Sequence, residues 1–235
     1  MSIVFKDTPK SDHKIKGTSI DYAHGTTCLA FLCKDFACIA SDSRSTMGTV
    51  ISCQTVKKII QINDIMVSTM AGSAADCQYW SRVVGAEAQL YELKNKRPMT
   101  VAGASKYYSN ILNQYKGRDL SVGSMIVGYD QFGPDMYYID SEGQRIQGKI
   151  FACGSGSPFA IGVLDQYYRE DLTEEEAVDI ARRSIYHAQH RDSASGGLTN
   201  VVIADKNGVR WVVKQDNFEL FGKYIDDPSP LPIGA

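Results

Sequence analysis

Two short apolar runs, separated by two charged residues, constrain the fold more than any other feature of the sequence. Residues 26–33 read TTCLAFLC and residues 36–40 read FACIA, with Lys34 and Asp35 between them. Both runs contain many strand-forming residues, and neither alternates between apolar and polar positions. We therefore predict a hairpin whose strands are covered on both faces, which excludes a sheet with one face in water.

Periodicity and turn residues extend this pattern along the chain. They predict further strands at residues 56–62, 65–71, 124–129, 135–140, 144–151, 199–204 and 209–214, with turns at 63–64 and 133–134. Caps and a helical period predict helices at residues 74–94, 100–117, 157–168 and 173–190. Antiparallel strand groups with paired helices between them predict an α+β fold, in which two sheets stack and a helix layer covers each.

The two ends of the chain differ in composition from the middle. Residues 1–25 are polar and lack any periodicity, and residues 226–235 include three prolines. We therefore expect a mobile extension at 1–25, a single domain at 26–225 and a flexible tail at 226–235. A chain of 235 residues is long enough for one large domain with its own core.

Charge and hydropathy argue against two classes of partner. The 25 Lys and Arg residues nearly balance the 27 Asp and Glu residues, so neither a nucleic acid nor a membrane surface is expected as a partner. The longest apolar run, at 28–33, is too short to span a bilayer. Because no secretory signal pattern is present, we expect a soluble intracellular protein with reduced thiols.

The residue types that bind metals do not fall into a ligand pattern. None of the six cysteines forms a Cys-x-x-Cys pair, and the four histidines are not spaced to complete a site with them. His187 and His190 are three apart on a predicted helix, but no carboxylate-rich strand accompanies them. We therefore predict no metal and no cofactor.

The junction between Gly25 and Thr26 allows an unusual nucleophile. If the chain were cut there, Thr26 would carry a hydroxyl group and a free α-amine on one residue. An α-amine has a reference pKa of about 8, so it can serve as the base for the hydroxyl. The alternative is that Thr26 merely begins a strand, and the junction taken alone favours that alternative.

Two charged residues strengthen the first interpretation. Asp42 follows Thr26 by sixteen residues, and the hairpin turn brings it back beside the start of the first strand. Lys58 follows sixteen residues later, where its ammonium group would pair with Asp42 and lower the pKa of the hydroxyl. The alternatives are a loop-capping Asp42 and a solvent-facing Lys58. Lys57 fits the solvent-facing role better, because neighbouring strand residues point to opposite faces.

Three small, glycine-containing clusters add further candidates. Gly72 precedes a predicted helix, where backbone N–H groups suit a developing oxyanion, although a simple tight turn explains it equally well. Residues 154–157 (GSGS) and 190–197 (HRDSASGG) lie at helix ends, where loop hydroxyl groups can reach a catalytic centre. Each cluster is a weak signal alone, and their conjunction is a strong one.

Six segments of the sequence together resemble one known family. The segments are Gly25-Thr26-Thr27, Ser41-Asp42-Ser43-Arg44, residues 54–58 (QTVKK), residues 70–77 (MAGSAADC), Gly154-Ser155-Gly156 and residues 191–197 (RDSASGG). They resemble the catalytic beta subunits of the proteasome, over about residues 24–222. Residues 70–77 and 114–117 (QYKG) are similar to the beta type-5 subunit, which has chymotrypsin-like specificity. The resemblance implies an N-terminal nucleophile hydrolase fold, a four-layer αββα sandwich with two antiparallel sheets between helix layers.

The resemblance also implies roles for individual residues. Thr26, released by cleavage after Gly25, would be the nucleophile, with its α-amine as proton acceptor and Asp42 and Lys58 as the activating pair. The N–H of Gly72 would form the oxyanion hole. The groups that would support the amine and the nucleophile are Ser155, Asp192 and Ser195. The residues that would shape the primary specificity pocket are Ser45, Met70, Ala74 and Cys77.

The implied function is that of a threonine endopeptidase in the 20S proteasome core. Such a subunit is a zymogen, here with residues 1–25 as propeptide, and cleaves unfolded polypeptides after large hydrophobic residues in ubiquitin-dependent degradation. Its partners would be other alpha and beta subunits in four stacked seven-membered rings, in the cytoplasm and nucleus. Ser45 departs from the family, in which alanine is usual, and would make the pocket rim more polar.

Two alternatives stay open. One is a non-catalytic or tissue-restricted structural subunit of the beta ring, and the other is a stand-alone amidohydrolase of the same fold. Non-catalytic subunits usually lack the processed threonine, the lysine or the second aspartate, and this chain has all three residue types.

Overall fold

The computed structural model describes residues 25–47 and 50–225. The strands are β1 (Cys28–Leu32), β2 (Phe36–Ser41), β3 (Ser45–Met47), β4 (Val50–Cys53), β5 (Ile59–Gln61), β6 (Met66–Thr69), β7 (Ala71–Gly72), β8 (Val122–Asp130), β9 (Gly133–Asp140), β10 (Arg145–Gln147), β11 (Ile150–Cys153), β12 (Leu198–Asp205) and β13 (Gly208–Asp216). The helices are α1 (Ala74–Asn95), α2 (Val101–Gln114), α3 (Ser157–Tyr167), α4 (Glu174–Arg191) and α5 (Asn217–Ile225). Within the extension expected at 1–25, the structure describes Gly25 alone, which is buried; residues 1–24 and the tail expected at 226–235 lie outside the described residues.

The strands form two large antiparallel sheets and one small hairpin. The five-stranded sheet has the order β11-β1-β2-β12-β13, and the six-stranded sheet has the order β10-β9-β8-β6-β5, with β7 also paired to β8. The predicted hairpin is confirmed as β1 and β2, with Cys28 opposite Ser41. Both strands are central in their sheet, so their edges are covered as well as their faces.

Three apolar clusters bury the faces of the sheets. The first joins the five-stranded sheet to α3 and α4, and includes Phe31, Leu164 and Ile185. The second joins the six-stranded sheet to α1 and α2. The third joins strands of both sheets, and includes Ile39 and Met125. Each fully buried side chain of this size contributes about 1.5–3 kcal/mol, and burial on both faces explains why β1 and β2 do not alternate.

The helix predictions agree closely with the structure. Helices α1, α3 and α4 begin and end within about one residue of their predicted limits, and Thr173 and Glu176 form the capping box of α4. Helix α2 ends at Gln114, before the predicted end at 117. Helix α5 was not predicted; its Leu220 and Tyr224 pack against Tyr186 of α4. None of the helices in the described ranges combines the length and hydropathy that a membrane crossing requires.

Several strand predictions were wrong in detail. The strand predicted at 144–151 is two strands in different sheets, because β10 pairs with β9 whereas β11 pairs with β1. The turn predicted at 133–134 lies at residues 131–132, and Pro134 is inside β9, near its start, where β10 does not reach it. The strand predicted at 56–62 is confined to β5, and the one at 65–71 is divided into β6 and β7. The β3–β4 hairpin was not predicted.

Candidate active site

The β1–β2 hairpin places Thr26 and Asp42 together. Thr26 is buried just before β1, and Asp42 is buried just after β2. The backbone ladder continues by one bond beyond the strands, in which Asp42 N–H donates to Thr27 O over 3.0 Å. In return, Thr27 N–H donates to the side-chain oxygen Asp42 Oδ1 over 2.9 Å. The spacing of sixteen residues therefore has the structural consequence that the sequence predicted.

Lys58 lies immediately before β5 and is only 2% exposed. Its Nζ donates to Asp42 Oδ1 over 2.7 Å, to Thr26 Oγ1 over 3.0 Å and to Gly25 O over 2.8 Å. An ammonium group has three N–H donors, so these three acceptors satisfy it completely. The neighbouring Lys57 is exposed, as predicted, although neither lysine lies within the strand itself.

The Asp42 carboxylate is fully buried and accepts four hydrogen bonds. Besides Lys58 and Thr27, its Oδ2 accepts the backbone N–H groups of Arg44 over 3.1 Å and of Gly196 over 3.0 Å. Burial raises the pKa of the Asp42 carboxyl group, and the Lys58 ammonium and the N–H donors oppose that rise. The pair is therefore an enclosed ion pair in contact with the Thr26 hydroxyl.

A second polar cluster reaches Thr26 from its other side. Thr26 N–H donates to Ser155 Oγ over 3.2 Å, and Ser155 Oγ donates to Asp192 Oδ2 over 2.6 Å. Ser195 Oγ donates to the same carboxylate oxygen, also over 2.6 Å. Ser155 comes from the loop before α3, whereas Asp192 caps the C-terminus of α4. The structure thus brings together every hydroxyl and carboxylate group that the sequence predicted for the site.

Two glycines at the site have no room for a side chain. A Cβ atom at Gly25 would lie 1.9 Å from Ala194 O. Gly72 has a φ of 99°, and a Cβ there would lie 2.6 Å from Ser121 O. Gly72 ends β7 directly before Ser73, which caps the N-terminus of α1. The residue predicted for the oxyanion hole therefore lies at a helix N-terminus, as its position in the sequence indicated.

A family model described as "Proteasome subunit" matches residues 22–204. The chain belongs to the proteasome subunit family. Its curated relatives include proteasome subunit beta type-5 of Spinacia oleracea, 53% identical over 202 residues that cover 86% of this chain and 74% of that protein. Beta type-5 of Dictyostelium discoideum is 46% identical over 215 residues, covering 92% and 79% respectively. Proteasome subunit beta type-8 of Rattus norvegicus is 46% identical over 213 residues, covering 91% and 77%.

A cleft opens beside Thr26 in this proteasome-family chain. It is lined by Gly25, Thr26, Arg44, Ser45, Val56, Lys58, Met70, Gly72 and Ala74. Three of the four predicted pocket residues are therefore in its wall. Cys77 is not: it lies one helical turn beyond Ala74 in α1, is fully buried, and its thiol donates to Ala71 O over 3.3 Å.

Three residues of the site were missed from the sequence. Arg44 and Val56 line the cleft, and the Arg44 guanidinium donates to Ser193 O over 2.9 Å and to Gln54 Oε1 over 3.1 Å. Thr27 is fully buried, with its Oγ1 2.8 Å from Ser195 Oγ. The signal for Thr27 was a second hydroxyl group inside an otherwise apolar run.

Metal-ligating side chains are dispersed in the described part of the chain. No group of three or more His, Cys, Asp or Glu residues within residues 25–47 and 50–225 is placed to hold a metal ion. His187 and His190 both lie on α4, where burial and the nearby Arg183 lower the pKa of His187.

Proposed function

We propose that this chain is a threonine endopeptidase subunit of the 20S proteasome core, with Thr26 as its nucleophile after cleavage of the Gly25–Thr26 bond. The observation that carries the proposal is the position of Lys58 Nζ, which donates to the Thr26 hydroxyl, to the Gly25 carbonyl and to Asp42. A solvent-facing lysine has no such arrangement. The alternative of a non-catalytic subunit of the beta ring is disfavoured, because contacts between neighbouring subunits require none of these hydrogen bonds.

Removal of the leader is the first step of the proposed mechanism. Thr26 Oγ1 lies 2.7 Å from Gly25 O, so the hydroxyl oxygen is beside the carbonyl that it would attack. The attack forms an ester between Thr26 Oγ1 and Gly25 and breaks the Gly25–Thr26 amide bond. The hydroxyl proton passes to the departing nitrogen, which becomes the α-amine of Thr26. Lys58 donates to Gly25 O and stabilises the negative charge that develops there. Water then hydrolyses the ester and releases residues 1–25.

Peptide hydrolysis uses the amine that the first step creates. Ser155 donates its only proton to Asp192, so its Oγ is an acceptor for an N–H of the amine, whose lone pair is then free to take the Thr26 hydroxyl proton. The Lys58 ammonium favours the resulting alkoxide. The alkoxide attacks the substrate carbonyl, the Gly72 N–H stabilises the oxyanion, and the amine returns its proton to the leaving amine. Water then hydrolyses the acyl ester.

The finer points of fold and assembly belong to the same proposal. The apolar clusters on both faces of both sheets support a four-layer αββα sandwich of N-terminal nucleophile hydrolase type. We propose other alpha and beta subunits in four stacked rings as partners, and unfolded polypeptides as substrates, in the cytoplasm and nucleus. Residues 1–25 would be the propeptide and 26–225 the mature domain.

Cleavage after large apolar residues such as Leu, Phe and Tyr is the specificity expected of this cleft. Met70 and Ala74 offer apolar walls, and burying an unpaired charged side chain against them costs several kcal/mol. Arg44 adds a charge that the sequence did not predict in the wall, but its guanidinium is already bonded to Ser193 and Gln54. We therefore expect weak cleavage after Glu despite Arg44.

A panel of fluorogenic peptides tests this specificity on purified core particle. The activity due to this subunit is the difference between wild type and particle carrying Thr26→Ala in this chain. The expected difference is confined to peptides ending in Leu, Phe or Tyr. A difference confined to peptides ending in Arg or Glu would show that the pocket is wrongly assigned.

Gly25→Ala is expected to slow removal of the leader strongly. The added Cβ would lie 1.9 Å from Ala194 O, so the Gly25 carbonyl must move away from Lys58 and from the Thr26 hydroxyl. A displacement of about 1 Å can reduce a rate by roughly 100-fold. Gly162→Ala is a matched control, since a Cβ there meets nothing within 4 Å. The measurement is the fraction of unprocessed chain by intact mass, and equal processing in both variants would contradict the expectation.

A further inference from the structure

Thr27 contacts both polar clusters of the site without contacting the nucleophilic oxygen. Its backbone N–H and carbonyl oxygen bond to Asp42 on the Lys58 side, and its Oγ1 lies 2.8 Å from Ser195 Oγ on the Asp192 side. It is one peptide bond from Thr26. Thr27 therefore links the two halves of the site at the residue next to the nucleophile.

The number of protons fixes the direction of these hydrogen bonds. The Asp192 carboxylate can only accept, so Ser195 donates its single hydroxyl proton to Asp192 Oδ2. Ser195 Oγ must then accept in its contact with Thr27, and the Thr27 hydroxyl is the donor. By the same count, Ser155 donates to Asp192 and accepts from Thr26 N–H. Two hydrogen-bond chains therefore end on Asp192 Oδ2: one runs from Thr26 through Ser155, and the other runs from Thr27 through Ser195.

Thr27 and Ser195 form the buried end of this cluster, whereas Asp192 is half-buried and Ser155 is exposed. Thr27 and Ser195 are both fully buried. Gly156 packs directly over the cluster: a Cβ there would lie 2.0 Å from Thr27 Oγ1 and 3.1 Å from Ser195 Oγ. Removal of the Thr27 hydroxyl would therefore leave the buried Ser195 Oγ without the donor that it has in this structure.

We propose that Thr27 is a positioning residue for the reaction of Thr26, acting through its hydroxyl group on Ser195 and Asp192. The inference rests on the proposed function. The Thr27 hydroxyl holds Ser195 in the orientation that donates to Asp192, and Asp192 holds Ser155 as an acceptor for the Thr26 amine. Loss of the hydroxyl lets Ser195 turn, weakens the hold on Asp192, and so misplaces the base.

The test compares Thr27→Val with Thr27→Ser in assembled core particle. Val keeps the branched shape and removes the hydroxyl, whereas Ser keeps the hydroxyl and removes a methyl group. We expect Thr27→Val to lower kcat about tenfold or more for a peptide ending in Leu or Tyr, with KM unchanged. Thr27→Ser is expected to stay close to wild type. In Thr27→Val a methyl group takes the place of Oγ1 and must fit against Gly156. Thr27→Ala removes the hydroxyl without adding that methyl group, so it serves as a second variant if Val does not fit.

A double-mutant cycle with Ser195→Ala identifies the route of the effect. If Thr27 acts through Ser195, Thr27→Val lowers kcat much less in a Ser195→Ala background than in wild type. Wild-type kcat in both Thr27→Val and Thr27→Ala, or equal losses in Val and Ser variants, would overturn the inference. So would fully additive losses in the cycle. Failure of the proposed function is a separate outcome, since it would appear as full activity in Thr26→Ala.

Discussion

Lys58→Ala is expected to abolish both leader removal and peptide hydrolysis, whereas Lys57→Ala leaves both nearly unchanged. Lys58 supplies hydrogen bonds to the Thr26 hydroxyl and to the Gly25 carbonyl, the two groups that react in leader removal. Losing a preorganised donor at a reacting oxygen reduces a rate by roughly 10²–10³-fold, and Lys58 serves two such oxygens. Lys57 is exposed, so its loss removes none of these contacts.

Two further variants separate the chemical role of Lys58 from its structural one. Lys58→Ala leaves Asp42 buried without its counter-ion, which destabilises a protein by about 3–5 kcal/mol. The double variant Lys58→Met with Asp42→Asn removes both charges and nearly keeps the volume, although the new amide NH2 group at position 42 must face a backbone N–H donor such as that of Thr27. Particle that assembles with this variant should be inactive. Lys58→Arg should not restore activity, because a planar guanidinium cannot replace a compact ammonium among three converging acceptors.

The measurements for Lys58 are the processed fraction by intact mass and kcat on a peptide ending in Leu. They are made on assembled particle, so that only folded chains are compared. Equal losses at Lys57 and Lys58, or normal processing in the uncharged double variant, would contradict the assignment.

Thr26→Ala has the largest expected effect on the reaction. It removes the attacking oxygen, so the leader stays attached and hydrolysis by this subunit falls by roughly 10⁴-fold or more. The fold should be retained, because the hydroxyl bonds only to Gly25 O and Lys58, and Lys58 keeps two of its three acceptors. Thr26→Ser is the matched control, since it keeps the hydroxyl and should retain measurable activity.

Local patterns predicted the parts of the site that one hairpin brings together. Antiparallel pairing and a sixteen-residue spacing were enough to place Asp42 beside Thr26. Lys58 is buried and Lys57 is exposed, as predicted, but both precede β5, so the alternation of strand faces is not the reason. The roles of Ser155, Asp192 and Ser195, in contrast, came from the family resemblance. Their contacts join parts of the chain that are far apart in sequence.

Features that depend on the path of the chain in space could not be predicted from local patterns. The run at 144–151 gives no sign that it passes from one sheet to the other between β10 and β11. The partner of Thr27 lies 168 residues away in sequence, so no short motif indicates the contact. Cys77 is fully buried and does not line the cleft, because its orientation depends on how α1 packs, one turn after Ala74.

The central claim is that Thr26 becomes the first residue of the working subunit. Intact mass and N-terminal sequencing of the chain, isolated from assembled core particle, test it directly. The account predicts a chain that begins at Thr26 in wild type and a chain that still carries Gly25 in Thr26→Ala. An active wild-type particle whose chain retains Gly25 would contradict the account.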